Sequence, residues 1–206
     1  MLKIKEKGLQ DYTSTWQEMV SLTENRDNTT EDELWTLEHR SVFTQGLSGK
    51  PEHLLRETEI EVIKSDRGGQ ITYHGPGQLI VYCLIDIKRL GIGVKQMVSI
   101  IEKSIIDLLS DYSISCHKIP GAPGVYVDGS KIAALGLKVK RGKTYHGLSL
   151  NVDMNLSPYN LINPCGYEDL NVTQMSNLTD NKLELDTIKE KLTKYLTKYV
   201  SRTWNK

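Results

Sequence analysis

Residues Leu79 to Ile87, LIVYCLIDI, are apolar almost without a break, so they cannot alternate an inner with an outer face. Such a run predicts a strand buried on both sides, and the fold must then supply a layer above it and a layer below. Directly ahead lies RGGQITYHGPGQ, Arg67 to Gln78, in which four of twelve residues are glycine. Glycine takes φ > 0 and lets another group come close, so a glycine-dense loop feeding a buried strand predicts a ligand cradle rather than a plain turn. Glycine content alone names no ligand.

The rest of the chain offers the layers. Tyr12, Trp16, Met19, Val20 and Thr23 recur at helical spacing between Leu9 and Asn25. In the following ELWTLEHRSVFTQG, the pair Thr30 and Glu33 has the spacing of a capping box, but short apolar runs favour two strands joined at His39 and Arg40. Gly46 to Arg56 reads as loop and Ile60 to Ile63 as a short strand. Val94, Val98, Ile101, Ile105, Leu108 and Leu109 predict a helix from Val94 to Tyr112. Four strands follow, ISCHKI, GVYV, KIAALGLKVK and YHGLSLNV, with turns at Asp128-Gly129 and at Lys140-Arg141-Gly142-Lys143. A last helix runs from about Asp186 to Val200. Helices beside a mixed, mostly antiparallel sheet, without regular βαβ alternation, give an α+β fold. With 206 residues and no repeat or linker, a single domain over 1–206 is expected.

Twenty-six basic residues balance twenty-six acidic ones, so nothing indicates a nucleic-acid partner. The N-terminal stretch has no h-region and no run has the length of a membrane span, so a cytoplasmic protein without a membrane partner is expected. Cys83, Cys116 and Cys165 are odd in number and lack CxxC spacing, which favours reduced thiols over a disulfide framework.

Cys165 lies in Asn163-Pro164-Cys165-Gly166, where proline fixes the approach of the chain and glycine removes bulk beyond it. A thiol presented this way is either a nucleophile or an inert loop cysteine, and spacing leaves both open. Cys83 and Cys116, inside apolar strands, are expected to pack in the core. A nucleophilic thiol, with a free pKa of about 8.5, needs a cation to favour its thiolate. Lys131, which opens KIAALG, is a candidate to project from the sheet end into a site, although a lysine after Asp-Gly-Ser is ordinarily solvated. The five histidines never form HxxxH, and Cys116 and His117 face opposite ways on a strand, so no metal site is expected. No Walker A, dinucleotide or GxSxG motif is present.

Taken in order, RGGQITYHGPGQLIVY, GAPGVYVDGSKIAALGLKV, YHGLSLNV and NPCG resemble the lipoyl(octanoyl) transferase family, the octanoyl-acyl carrier protein:protein N-octanoyltransferases. The resemblance spans about Glu38 to Gln174 and implies a fold similar to the catalytic domain of biotin and lipoate protein ligases. It implies that Cys165 takes octanoyl from the phosphopantetheine thioester of acyl carrier protein, with lipoyl-acyl carrier protein as an alternative donor. The acyl group then passes to a lysine of the lipoyl domains of 2-oxo acid dehydrogenase complexes or of the glycine cleavage H protein. Lys131 would lower the cysteine pKa and shuttle protons. Arg67, Gly68, Gly69, Gln70, Ile71, Thr72, Tyr73 and His74 would bind substrate, with Ala134, Leu135, Gly136, Gly147, Leu148 and Ser149. No cofactor is implied, because the donor is already a thioester. In this reading RGGQITYHGPGQ is one wall of an acyl pocket, with His74 and the glycine backbone facing the reacting thioester.

Two rivals share parts of this pattern. An ATP-dependent ligase would use the cradle and the lysine but has no use for an acyl-cysteine, and a non-catalytic binder of acyl carriers would need neither Lys131 nor Cys165.

Overall fold

A computed structural model describes residues 2–166 and 170–204, apart from the side chains of Cys165 and Trp204. In chain order it contains β1 (Leu2–Gln10), α1 (Tyr12–Asn25), β2 (Asp32–His39), β3 (Val42–Gln45), β4 (Val62–Lys64), β5 (Ile71–His74) and β6 (Gln78–Leu84). After these come α2 (Val94–Ser110), β7 (His117–Ile119), β8 (Ala122–Val127), β9 (Ser130–Lys140), β10 (Lys143–Asn151) and α3 (Leu185–Trp204). A seven-stranded sheet runs β1-β2-β6-β10-β9-β8-β7, and a three-stranded sheet runs β4-β3-β5. Only β1 with β2 and β3 with β4 are parallel among the described pairs. This is the α+β, mostly antiparallel arrangement that the sequence predicts.

The apolar run becomes β6, an interior strand between β2 and β10, with every residue buried. Leu79, Val81 and Cys83 face the core under α2 and α3, whereas Ile80, Tyr82 and Leu84 face the smaller cluster with Met19 of α1. Two apolar faces therefore erase the usual alternation. Both predicted turns carry two successive left-handed residues, Asp128 and Gly129 at φ 47° and 80°, and Arg141 and Gly142 at φ 52° and 79°. That is the twist that joins antiparallel neighbours without splaying them. No helix among the described residues is long and apolar enough to cross a membrane.

The structure adds two features to the sequence reading and corrects a third. The charged N-terminal stretch is an edge strand, β1, half exposed and paired in parallel with β2. Alternating lysines suit an edge that must not recruit another strand, and they hide the strand signal. The strands meeting at His39 and Arg40 belong to different sheets, so the chain changes layer there. RGGQITYHGPGQ is not one loop: its centre, Ile71–His74, is β5, which pairs with β3.

Gly77 shows why the second turn of that stretch needs glycine. Its φ is +84°, its amide donates to Glu38 Oε2 at 2.6 Å, and a Cβ there would lie 1.9 Å from the Asp153 carbonyl oxygen. Gly77→Ala combines left-handed strain with a clash against backbone, and is expected to cost roughly 3 kcal/mol or more. A chemical-denaturation midpoint lowered accordingly checks it.

Candidate active site

Two neighbouring strands lay down a floor of small side chains, which a third continues with larger ones. Ala134 of β9 pairs with Ser149 of β10, and Gly136 pairs with Gly147; on the far side of β10, Ser149 pairs with Ile80 and Gly147 with Tyr82. Over this floor lies β5 with the turn before it. The crevice between them is bordered by Gly69, Gln70, Ile71, Thr72 and His74 above and by Ala134, Leu135, Gly136, Gly147, Leu148 and Ser149 below. A hairpin and a stretch about sixty residues before it thus meet around one space. Gly136 lets the loop settle on the strand, since a Cβ would lie 2.8 Å from the Gly68 carbonyl oxygen. Gly68 itself donates to the Leu137 carbonyl at 3.2 Å and borders an adjoining cleft instead. Tyr73 points away from the crevice: strand alternation turns its ring onto Phe43 and Tyr159.

Arg67 borders the crevice but is spent largely on the loop that carries it. Its Nε donates to Thr44 Oγ1 at 3.0 Å, and its terminal nitrogens donate to the carbonyls of Thr44, Gly68 and Gln70. A planar fork aimed at several acceptors fixes a glycine-rich backbone that has little intrinsic preference. His74 is engaged likewise. Gln78 Oε1 can only accept, so His74 Nδ1 donates to it at 2.7 Å, and the neutral ring's Nε2 accepts from Thr44 Oγ1 at 3.2 Å. Gln78 Nε2 in turn reaches Asn151 Oδ1 at 2.9 Å and Tyr159 Oη at 3.1 Å.

Beyond Gly147 the crevice is bounded by rings that the sequence reading did not select, Tyr12, Tyr82 and His146. Tyr12 Oη bonds Ser65 Oγ at 2.7 Å, and Tyr82 Oη bonds His39 Nε2 at 2.6 Å. His146 Nε2 donates to Asp66 Oδ1 at 2.9 Å, and its buried Nδ1 makes no hydrogen bond among the described atoms. Asp66 also accepts from Trp16 Nε1 at 2.8 Å and from the Tyr145 hydroxyl. Burial alone would raise the Asp66 pKa, but the bonds from His146, Tyr145 and Trp16 hold it down to about 2. No periodicity marks these residues, because they converge from α1, β6, β10 and the turn before β5.

Burial lowers the pKa of His39, His74 and His146 alike, His39 to about 4, against the weaker upward pull of their acceptors. All three are neutral in the folded protein at pH 7. The unfolded chain binds these protons near pH 6.5, so the stabilisation is fully present above that pH and is lost as pH falls toward 4. His39 alone contributes up to about 3 kcal/mol of that loss. The denaturation midpoint should drop between pH 7.5 and 5.

Lys131 lies outside the crevice, bordering two spaces that adjoin it. It is only 5% exposed; its Nζ donates to the Pro123 carbonyl at 3.3 Å and lies 5.1 Å from the centre of the Tyr126 ring. The register shifts between Val125 and Tyr126 on β8, a bulge that re-aims a side chain at a sheet end. Gly124 leaves room for the ammonium, since a Cβ there would lie 3.1 Å from Lys131 Cε and 3.4 Å from Nζ. Lys131 shares a small cavity with Pro164, and Thr72, Ala134 and Ser149 border both that cavity and the crevice; the lysine also borders the cleft beside Gly68, which meets the crevice at Gly69, Gln70, Leu135 and Gly136. The chain on the far side of Pro164–Gly166 also returns to this lysine: its amide donates to the Asn171 carbonyl at 2.8 Å, and Thr173 donates to its carbonyl at 3.0 Å. Gly166 has φ +78°, and a Cβ there would lie 2.3 Å from Gln70 Nε2, so the Asn-Pro-Cys-Gly turn abuts the glycine loop. The Cys165 side chain, the expected nucleophile, lies outside the described residues. The other two thiols are unsuited to attack: burial pushes Cys83 up to about 12 and raises Cys116 as well.

The arrangement is a buried lysine beside a crevice floored largely by small residues. Residues 11–197 match the family of lipoyl protein ligase A/B catalytic domains. The chain is 57% identical over 201 residues to the octanoyltransferase of Vesicomyosocius okutanii, covering 98% of each chain. It is 56% identical over 198 residues to the octanoyltransferase of Chromobacterium violaceum, covering 96% of this chain and 95% of that one. Among solved structures it resembles a bi-partite lipoate protein ligase from Thermoplasma acidophilum, with a TM-score of 0.74 at 12% identity over 98% of this chain and 85% of that one. Biotin protein ligase from Aquifex aeolicus gives a TM-score of 0.58 at 15% identity over 100% and 70%. These structural likenesses speak for the fold alone.

Proposed function

The chain belongs to the lipoyl protein ligase A/B catalytic-domain family and is an octanoyltransferase of protein lipoylation, and we propose that it works through a thioester on Cys165. The donor is octanoyl-acyl carrier protein and the acceptor is the ε-amine of a lysine on a lipoyl domain. One observation carries this reading: the buried Lys131 and Pro164, which precedes Cys165, border one small cavity that adjoins the crevice.

The steps follow from ordinary acyl chemistry. The Cys165 thiolate attacks the carrier thioester carbonyl, the carbon–sulfur bond to pantetheine breaks, and the departing thiolate takes a proton from Lys131. Exchange of one thioester for another is nearly isoenergetic. The neutral Lys131 then accepts a proton as the acceptor amine attacks, and the cysteine leaves as thiolate beside the restored ammonium. The product amide is more stable than either thioester, so the sequence runs forward. The apolar chain meanwhile lies on Ala134, Ser149 and Ile80, out of water.

Incubation with octanoyl-acyl carrier protein and no ATP, followed by intact-mass analysis, tests this. The expected result is a gain of one octanoyl group, mapped to Cys165 and discharged by added lipoyl domain. A chain that gains no mass, or needs free octanoate and ATP to modify a lipoyl domain, would instead be a ligase.

A further inference from the structure

We propose that the hydrogen-bonded rings of Tyr12, Tyr82 and His146 form a rigid ruler that fixes the acyl-chain length. This rests on the octanoyl-transfer reading and adds the residues that select the substrate. The chemistry end is where the Lys131 cavity adjoins the crevice at Ser149, and the ring wall stands at His146, three residues back along β10. At a strand rise of about 3.4 Å per residue the interval is about 10 Å, close to the reach of an extended eight-carbon acyl chain.

Hydrogen bonds make the wall stiff. Tyr12, Tyr82 and His146 each spend a polar atom on a neighbour outside the crevice, on Ser65, His39 and Asp66 respectively. An end built of leucine or methionine could change rotamer to admit another methylene, but rings tied in this way cannot swing aside. The backbone supports the same reading. His146 has φ +58°, a left-handed conformation uncommon for a residue with a side chain and rarer still within a strand. Two residues earlier the strand is held to β6, where Thr144 Oγ1 accepts from the Ile85 amide and donates to the Cys83 carbonyl. Glycine would satisfy that backbone better, so what the histidine contributes there is its ring.

His146→Gly is therefore the informative substitution, because it removes the ring while relieving the backbone. Tyr12→Ala opens the same end from the helix side, so a loss of folding in one variant leaves the other to decide. Wild type and both variants are assayed with octanoyl-, decanoyl- and dodecanoyl-acyl carrier protein, reading initial rates of Cys165 acylation by intact mass, with thermal melts to establish folding. A buried methylene is worth about 4-fold in binding, so the C10-to-C8 ratio of kcat/KM should rise on the order of 10-fold in a folded variant. A folded variant whose ratio stays within about twofold of wild type overturns the ruler. So does a wild type that takes C12 as readily as C8. A wild type that takes no acyl group at all from any carrier overturns the octanoyl-transfer reading itself, which separates the two failures.

Discussion

Cys165→Ala should carry no octanoyl group after incubation with octanoyl-acyl carrier protein, and its transfer to lipoyl domains should fall by roughly 10^4-fold or more. The size of the effect follows from the absence of a substitute. Direct attack by the acceptor lysine on the carrier thioester would need both proteins at one site together, whereas the covalent route lets them come in turn. Cys83 cannot take over, because it is fully buried and its thiol is pushed up to about 12, and burial also raises Cys116. Cys83→Ser and Cys116→Ser should therefore keep the adduct, the former at some cost in stability for placing a hydroxyl in an apolar core. Loss of the adduct in either serine variant, with Cys165 intact, would mean that the wrong thiol had been chosen.

Local signals account for what the sequence revealed. β6 was legible because its two apolar faces leave a run that fits little else, and the hairpins at Asp128-Gly129 and Arg141-Gly142 because left-handed pairs demand particular residues. The crevice floor was legible only through family resemblance, since Ala134, Gly136, Gly147 and Ser149 are unremarkable until register sets them side by side. Tyr73 illustrates the limit of carrying over a continuous segment: within ITYH, Thr72 and His74 border the crevice while Tyr73 packs behind it. The ring wall and its Asp66 anchor were not legible at all. Tyr12, Tyr82 and His146 come from separate elements, and the feature that singles out His146 is a backbone angle that composition does not reveal.

Lys131→Ala and Lys131→Arg should fail differently, and the difference separates the two tasks proposed for this lysine. The alanine variant loses the buried cation, so the pH profile of Cys165 alkylation should move upward and acylation should slow by roughly 10^2 to 10^4-fold. It also loses the group proposed to receive the amine proton, so discharge of a preformed adduct to a lipoyl domain should slow as well. Arginine keeps the positive charge but cannot be deprotonated in a protein. Lys131→Arg should thus retain more thiol reactivity at neutral pH than Lys131→Ala while remaining poor in the discharge step. Single-turnover acylation and discharge, measured separately, provide the readout. Equal loss of both steps in the arginine variant, with an alkylation profile matching alanine, would mean that the lysine acts by shape rather than by charge. A discharge rate restored by arginine would mean that the amine's proton leaves by another path, and Lys131 would then serve the thiolate alone.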